Sequence, residues 1–228
     1  MAENIQHTGY NIPRLKVCGM KYPENIRAVA SLHPDYMGFI FHGKSPRYFK
    51  GEIPDDLPVA IRKTGVFVNS SIVEIIEKVT RYHLHAVQLH GGETAEFCRE
   101  LRDALPRIEI IKVFSVKDEF DFAQLLPFEN TADYFLFDTK GKQPGGNGYT
   151  FDWKLLKNYP SGKPYFLSGG IGPKETEKVQ DFLHNQEYRN VSALCYAIDV
   201  NSRFETEPGS KNTEKLKEFK SKILCQHQ

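Results

Sequence analysis
The sequence has no long apolar run, no dense block of like charge and no closely spaced pair of cysteines. No stretch approaches the ~18 apolar residues of a transmembrane helix, so no membrane association is expected. Lys and Arg number 30 against 29 Asp and Glu, a net charge of +1, and they are scattered along the chain. That balance gives no footprint for nucleic acid or an anionic membrane. The four cysteines, Cys18, Cys98, Cys195 and Cys225, lie far apart. Neither a zinc cluster nor a disulfide framework is expected, and reduced thiols in the cytoplasm are the simplest reading. The opening MAENIQHTGYNIPR has neither a basic nor an apolar region of the kind a signal peptide carries.

What is present is a run of short apolar segments: RLKVC (14–18), YMGFIF (36–41), TGVFV (64–68), AVQLH (86–90), IEIIKVF (108–114), YFLFD (134–138), PYFLS (164–168) and LCYAIDV (194–200). They are mostly unbroken rather than alternating, as in strands covered on both faces. Helix-like stretches fill most gaps: Pro23 to Leu32, Ser70 to Tyr82, Glu93 to Ala104, Lys117 to Leu126, Pro173 to His184 and Asn212 to Leu224. Residues 42–63 are the least helical connection, interrupted by Pro46, Pro54 and Pro58. Eight such units without a composition break predict a single-domain α/β (β/α)8 barrel over 14–228, after a polar lead-in at 1–13. An open doubly wound sheet fits less well, because no G-x-G-x-x-G follows the first strand.

In a barrel of this kind, function sits at the carboxyl ends of the strands. The residues placed there are Cys18, Arg47 on the following loop, Asn69, His90, Asp138, Ser168-Gly169-Gly170, and Asp199 to Ser202. Cys18 admits two readings, an inert buried thiol or a base favoured as thiolate by its neighbours. Lys16 is the one cation beside it in sequence. Asp138, straight after four apolar residues, is either a loop-bonding carboxylate or a functional one. Arg47, after a rigid Ser45-Pro46, suits a bidentate grip on a carboxylate, though a solvated arginine reads the same way. Gly169 and Gly170, with Asn201, Ser202 and Arg203 after the last strand, favour a phosphorylated small molecule. The glycine-rich TKGKQPGGNGYTFDW is either a lid or a plain loop, and Trp153 within it reads as a packing anchor. His83, His85 and His90 lack further ligands in register, so no metal is expected.

Taken together, KVCGM, GFIFHGKSPRYF, GVFVN, VQLHGGE, FDTKGKQPGGNGYTFDW, LSGGIGP and IDVNSRFETEPGSKN resemble the N-(5′-phosphoribosyl)anthranilate isomerase family of tryptophan biosynthesis, in the family's order and over nearly the whole chain. The resemblance implies a cofactor-free (β/α)8 barrel that carries out an Amadori rearrangement, an aldose-to-ketose isomerisation, as a monomer or homodimer. It implies that Cys18 is the general base and Asp138 the general acid. Arg47 would hold the anthranilate carboxylate, with His90 also at the substrate and Gly169, Gly170, Asp199, Asn201 and Ser202 at the phosphate site. Where the family commonly shows D-V-S-S-G-V-E, this chain has Asp199-Val200-Asn201-Ser202-Arg203-Phe204-Glu205. An arginine therefore stands where a glycine could take positive φ. Two other readings compete: a sister isomerase of histidine biosynthesis, which uses an aspartate where Cys18 stands, and a catalytically silent barrel acting as a scaffold.

Overall fold
The apolar segments pair edge to edge. In the computed structural model, which describes residues 12–139 and 151–224, eight strands close into a barrel in chain order. They are β1 (Arg14–Val17), β2 (Tyr36–Ile40), β3 (Arg62–Phe67), β4 (Ala86–Leu89), β5 (Glu109–Val116), β6 (Tyr134–Thr139), β7 (Tyr165–Leu167) and β8 (Cys195–Val200). Every neighbouring pair is parallel, and β1 closes the ring against β8 with Lys16 opposite Asp199.

Strand alternation divides each strand between two cores. Tyr36, Ala86, Ile111, Val113, Leu136, Phe166 and Ala197 pack together inside the ring. Their neighbours on the other face, such as Ile110, Phe114, Phe135, Phe137, Leu167 and Ile198, pack against the outer helices. The same alternation carries the inner face upward at the carboxyl ends. Cys18 follows Lys16, Asp138 follows Leu136, and Asp199 follows Ala197, each two residues on. At the opposite end, the Tyr36 hydroxyl bonds Glu109 (3.1 Å) and Tyr196 (3.1 Å), and Arg62 pairs with Glu109 (2.9 Å), closing the ring's floor.

The outer layer holds α1 (Pro23–Ala30), α2 (Ile72–Tyr82), α3 (Ala95–Ala104), α4 (Thr176–His184), α5 (Arg189–Ser192) and α6 (Thr213–Leu224). Side chains that fold back on the first turn start three of them. Ser71 accepts from Glu74 N, Thr94 from Phe97 N, and Asn212 from Lys215 N, at 3.0–3.2 Å. The expected helix at Lys117–Leu126 is replaced. β5 runs on to Val116, and a 3-10 helix spans Phe122–Phe128 instead. Pro127 cannot donate an amide there, and Phe120 and Phe122 pack edge to face against Phe114 and Phe137. As its prolines foretell, the β2–β3 connection has no helix, only turns and one bridge between Ile40 and Tyr48.

Two features went unforeseen. After β8, a short 3-10 turn (Ser202–Phe204) leads into an antiparallel hairpin, β9 (Glu205–Glu207) and β10 (Ser210–Lys211). It is tied to α1 by Asn25, which exchanges bonds of 2.7 and 2.8 Å with the Lys211 backbone. The β6–β7 connection, where described, forms only a 3-10 helix at Trp153–Asn158. Trp153 is buried there against Phe182, as a packing anchor would be. The glycines at 141–148 and Cys225 lie outside the described residues.

Phe137 is fully buried among Phe114, Phe120, Phe122, Tyr159 and Tyr165, with ring centroids 5.4–6.5 Å away. Phe137→Ala should therefore lower unfolding free energy by about 3–5 kcal/mol in urea titration. A loss below about 1 kcal/mol would mean that this aromatic layer is not what holds β6 against the outer shell.

Candidate active site
Lys16 and Cys18 project from the same face of β1 into the mouth of the ring. Lys16 is fully buried and donates to Asp199 Oδ1 at 2.8 Å. Asp199 accepts a second bond from Ser168 Oγ at 3.2 Å. Burial opposes the Lys16 charge, but Asp199 and Cys18 beside it more than offset this and hold its pKa above the ordinary value. Burial pushes the Asp199 carboxyl up, with Asp138 adding to the rise, against the pull of Lys16 and Ser168.

Cys18 is 4 % exposed, and its amide is fixed by the Val200 carbonyl at 2.9 Å. Burial pushes its thiol up and Asp199 adds to this, while Lys16 and Lys211 pull the other way without reversing it. The resting group is thus a thiol with cations at hand. Gly38 on β2 makes the room: a Cβ there would fall 2.7 Å from Cys18 Sγ. Gly19, at φ +75°, does the same on the other side, where a Cβ would meet Asn201 Oδ1 at 2.6 Å and the Arg47 stem at 2.8 Å.

Asp138 stands across the mouth at the end of β6. His90 Nε2, at the end of β4, lies 3.4 Å from its Oδ2, while Gln88 Nε2 is 3.2 Å from His90 Nδ1. With Gln88 as the donor, the imidazole carries its proton on Nε2, facing the carboxylate. The Asp199 charge raises the Cys18 thiol, and Asp138 in turn raises Asp199.

The β7–α4 turn begins with Gly169 (φ +89°) and Gly170 (φ +71°). A Cβ on Gly169 would fall 2.3 Å from Thr139 N, so glycine is what lets this turn sit against the end of β6. The loop after β8 meets it: a Cβ on Gly172 would lie 2.6 Å from Arg203 Cβ. Arg203 sits in the 3-10 turn and is not among the residues with positive φ, so this backbone asks for no glycine. Asn201 is turned inward, with Oδ1 accepting from Lys211 Nζ at 2.7 Å.

Arg47 leans over Gly19, and its guanidinium grips Glu205 through Nε (2.8 Å) and Nη2 (2.7 Å). Glu205 and Lys211 were not picked out in sequence, and their signal was the Pro208-Gly209 turn between them. Asn69 is a brace: left-handed at φ 52°, its amide donates to Glu93 at 2.7 Å, and its Oδ1 accepts from Gly92 N. Glu93 is fixed in turn by Lys112 at 3.0 Å, which steadies the loop carrying His90. His83 ends α2, and His85 accepts from Lys63 N before β4, both at the other end of that strand from His90. Among the described residues, no cluster of three or more His, Cys, Asp or Glu side chains is arranged to hold a metal.

A sequence model of the family described as N-(5′-phosphoribosyl)anthranilate (PRA) isomerase matches residues 15–222. The chain belongs to this family. It is similar to the N-(5′-phosphoribosyl)anthranilate isomerase of Parabacteroides distasonis, with 40% identity over 215 residues covering 92% of this chain and 93% of the relative. Among solved structures, phosphoribosyl anthranilate isomerase from Thermotoga maritima superposes with a TM-score of 0.76 at 32% identity, over 92% of this chain and 98% of that one. A crystal structure of phosphoribosyl anthranilate isomerase in complex with reduced 1-(o-carboxyphenylamino)-1-deoxyribulose 5-phosphate matches at TM-score 0.73 and 29% identity, over 92% and 98%.

Replacing Lys16 by methionine would strand Asp199 in the interior. Lys16→Met should lower stability by about 3–5 kcal/mol in urea titration, and adding Asp199→Asn should recover most of it. A double variant no better than the single one would contradict this pairing.

Proposed function
We propose that this barrel catalyses the isomerisation for which its family is named, converting N-(5-phosphoribosyl)anthranilate to 1-(2-carboxyphenylamino)-1-deoxyribulose 5-phosphate in tryptophan biosynthesis. The observation that carries the reading is that Cys18 and Asp138 both sit at the carboxyl end of the ring, after β1 and at the end of β6, with the buried Lys16–Asp199 pair beneath Cys18. Asp138 gives a proton to the ribose ring oxygen as the C1′–O4′ bond breaks, and the nitrogen lone pair forms the Schiff base. Cys18, as thiolate, takes the C2′ proton, and the electron pair of that C–H bond moves to form the enolamine. Ketonisation then adds a proton at C1′ and removes one from the 2′-hydroxyl, so the isomerisation is proton-neutral overall. No cofactor is needed for any of these steps.

Arg47, beside Cys18, takes the anthranilate carboxylate, and the Gly169–Gly170 turn with Asn201 and Ser202 takes the phosphate. The ligand of the solved relative, which carries both a carboxylate and a phosphate, supports this two-ended reading. Asp199 serves the phosphate end through Ser168 and the base through Lys16. His90 orients Asp138. All these residues come from one chain, so the reaction proceeds in a monomer or a homodimer alike. The wide spacing of Cys18, Cys98 and Cys195 along the chain supports a reducing, cytoplasmic setting. No described helix is long and apolar enough to cross a membrane.

The assay is loss of anthranilate-type fluorescence when the phosphoribosyl adduct is generated in situ from anthranilate by a phosphoribosyltransferase. Turnover is expected, and its absence with the native protein would overturn the reading. Cys18→Ala and Asp138→Asn should each lower kcat by roughly 10²–10⁴-fold with the fold intact by circular dichroism. Near-normal turnover in either would remove that residue's role. Because burial leaves the Cys18 pKa above its ordinary value, the thiolate fraction grows with pH across neutrality. Accordingly, kcat/KM should climb from about pH 6.5 to about pH 8.5, where a plateau reached by neutrality would contradict a thiolate base.

A further inference from the structure
Glu205 is almost wholly buried, with 5 % of its side chain exposed, yet it touches none of the strand-end residues assigned to the chemistry. Its partners are three donors. Oε1 accepts from Arg47 Nε, from Lys211 Nζ at 2.5 Å and from the Gly209 amide at 3.1 Å. Oε2 accepts from Arg47 Nε at 3.0 Å and Nη2 at 2.7 Å. Burial alone would push the Glu205 carboxyl up, but Arg47 and Lys211 hold it below its ordinary value, so it stays ionised. Lys211, with none of its side chain exposed, is fixed by Asn201 and by the hairpin's attachment to α1.

This arrangement engages Arg47 side-on. Nε and one Nη2 hydrogen point at Glu205, and among the described residues Nη1 has no partner. A guanidinium has two forks, Nε/Nη2 and Nη1/Nη2, and using the first leaves the second pointing away from the carboxylate that holds it. Gly19 keeps the Arg47 stem pressed against the backbone next to Cys18. The open fork is therefore aimed from a fixed base.

We propose that Glu205 is a positioning residue for substrate binding: it holds Arg47 side-on so that the outer guanidinium fork meets the anthranilate carboxylate, and the β9–β10 hairpin is its anchor. This rests on the reading of Arg47 as the carboxylate clamp. A side chain held on one edge by a buried anion loses little freedom on binding, so the effect falls on affinity more than on the proton transfers.

The test compares two substrates, the phosphoribosyl adduct of anthranilate and that of aniline, which lacks the carboxylate. Both are prepared by condensing ribose 5-phosphate with the amine. Glu205→Gln should raise KM for the anthranilate adduct roughly 10–100-fold with a much smaller change in kcat, and leave KM for the aniline adduct nearly unchanged. Glu205→Asp, which keeps the charge for folding but pulls it back from Arg47, should show the same selectivity to a lesser degree. Equal losses on both substrates would make Glu205 merely structural and overturn the proposal. A lower KM in Glu205→Gln would also overturn it, since Glu205 would then compete with substrate for Arg47. Arg47→Lys separates the two levels: if it leaves KM for the anthranilate adduct unchanged, the clamp reading fails. If Arg47→Lys raises that KM while neither Glu205 variant does, only the role of Glu205 fails.

Discussion
The buried contact between Lys16 and Asp199 fixes most of what surrounds it. It joins β1 to β8 where the barrel closes, and it does so inside the ring, directly below the mouth. An ion pair with so little water is stable only if both partners stay in place. Their strands therefore cannot slip by a residue without turning a charge into the apolar outer layer. Register and electrostatics are the same constraint here. The lysine that completes the pair also sits two residues below Cys18 on the same face, so the contact that closes the barrel supplies the cation nearest the thiol.

From that contact the site is built outward in two arms. One runs through Ser168 to the glycine turn after β7, which Gly169 lets pack onto the end of β6. The other runs from Asn201 through Lys211 to Glu205 and Arg47, so a hairpin beyond the last strand reaches back over the first. The opposite wall is braced separately. Glu93 takes the Asn69 and Gly91 amides and the Lys112 ammonium, which holds the β4 loop while His90 faces Asp138. Rigid loops on a rigid ring suit a reaction in which one proton is given to a ring oxygen and another is taken from a nearby carbon.

The barrel was legible because its strands are buried on both faces, so their apolar runs stand out from the helices between them. Strand ends then follow from where the runs stop, so the sequence alone sets Cys18, His90, Asp138 and Asp199 at one rim. Lys117–Leu126 misled because its polar and apolar residues suit a helix, while the edge-to-face packing of Phe120 and Phe122 against Phe114 and Phe137 decided otherwise. Partnerships across the ring were beyond reach of sequence. Nothing in spacing says that Arg47 meets Glu205, a separation of 158 residues, or that Lys16 meets Asp199 at 183. The arginine at position 203 seemed to threaten a turn that needs glycine, but the chain there adopts an ordinary 3-10 turn and uses Gly172 to make the space. The roles of base and acid came from family resemblance, and the geometry adds the cation and carboxylates around them.

Cys18 and Asp138 are proposed to act on one carbon skeleton from opposite sides of the mouth. A crystal structure with the reduced product analogue bound tests it most directly. The expected result is Cys18 Sγ beside C2′, the Asp138 carboxylate within hydrogen-bond reach of the oxygen that had closed the ribose ring, and the aromatic carboxylate on the outer fork of Arg47. An analogue seated with its ribulose chain away from Cys18, or with Asp138 turned from that oxygen, would contradict it.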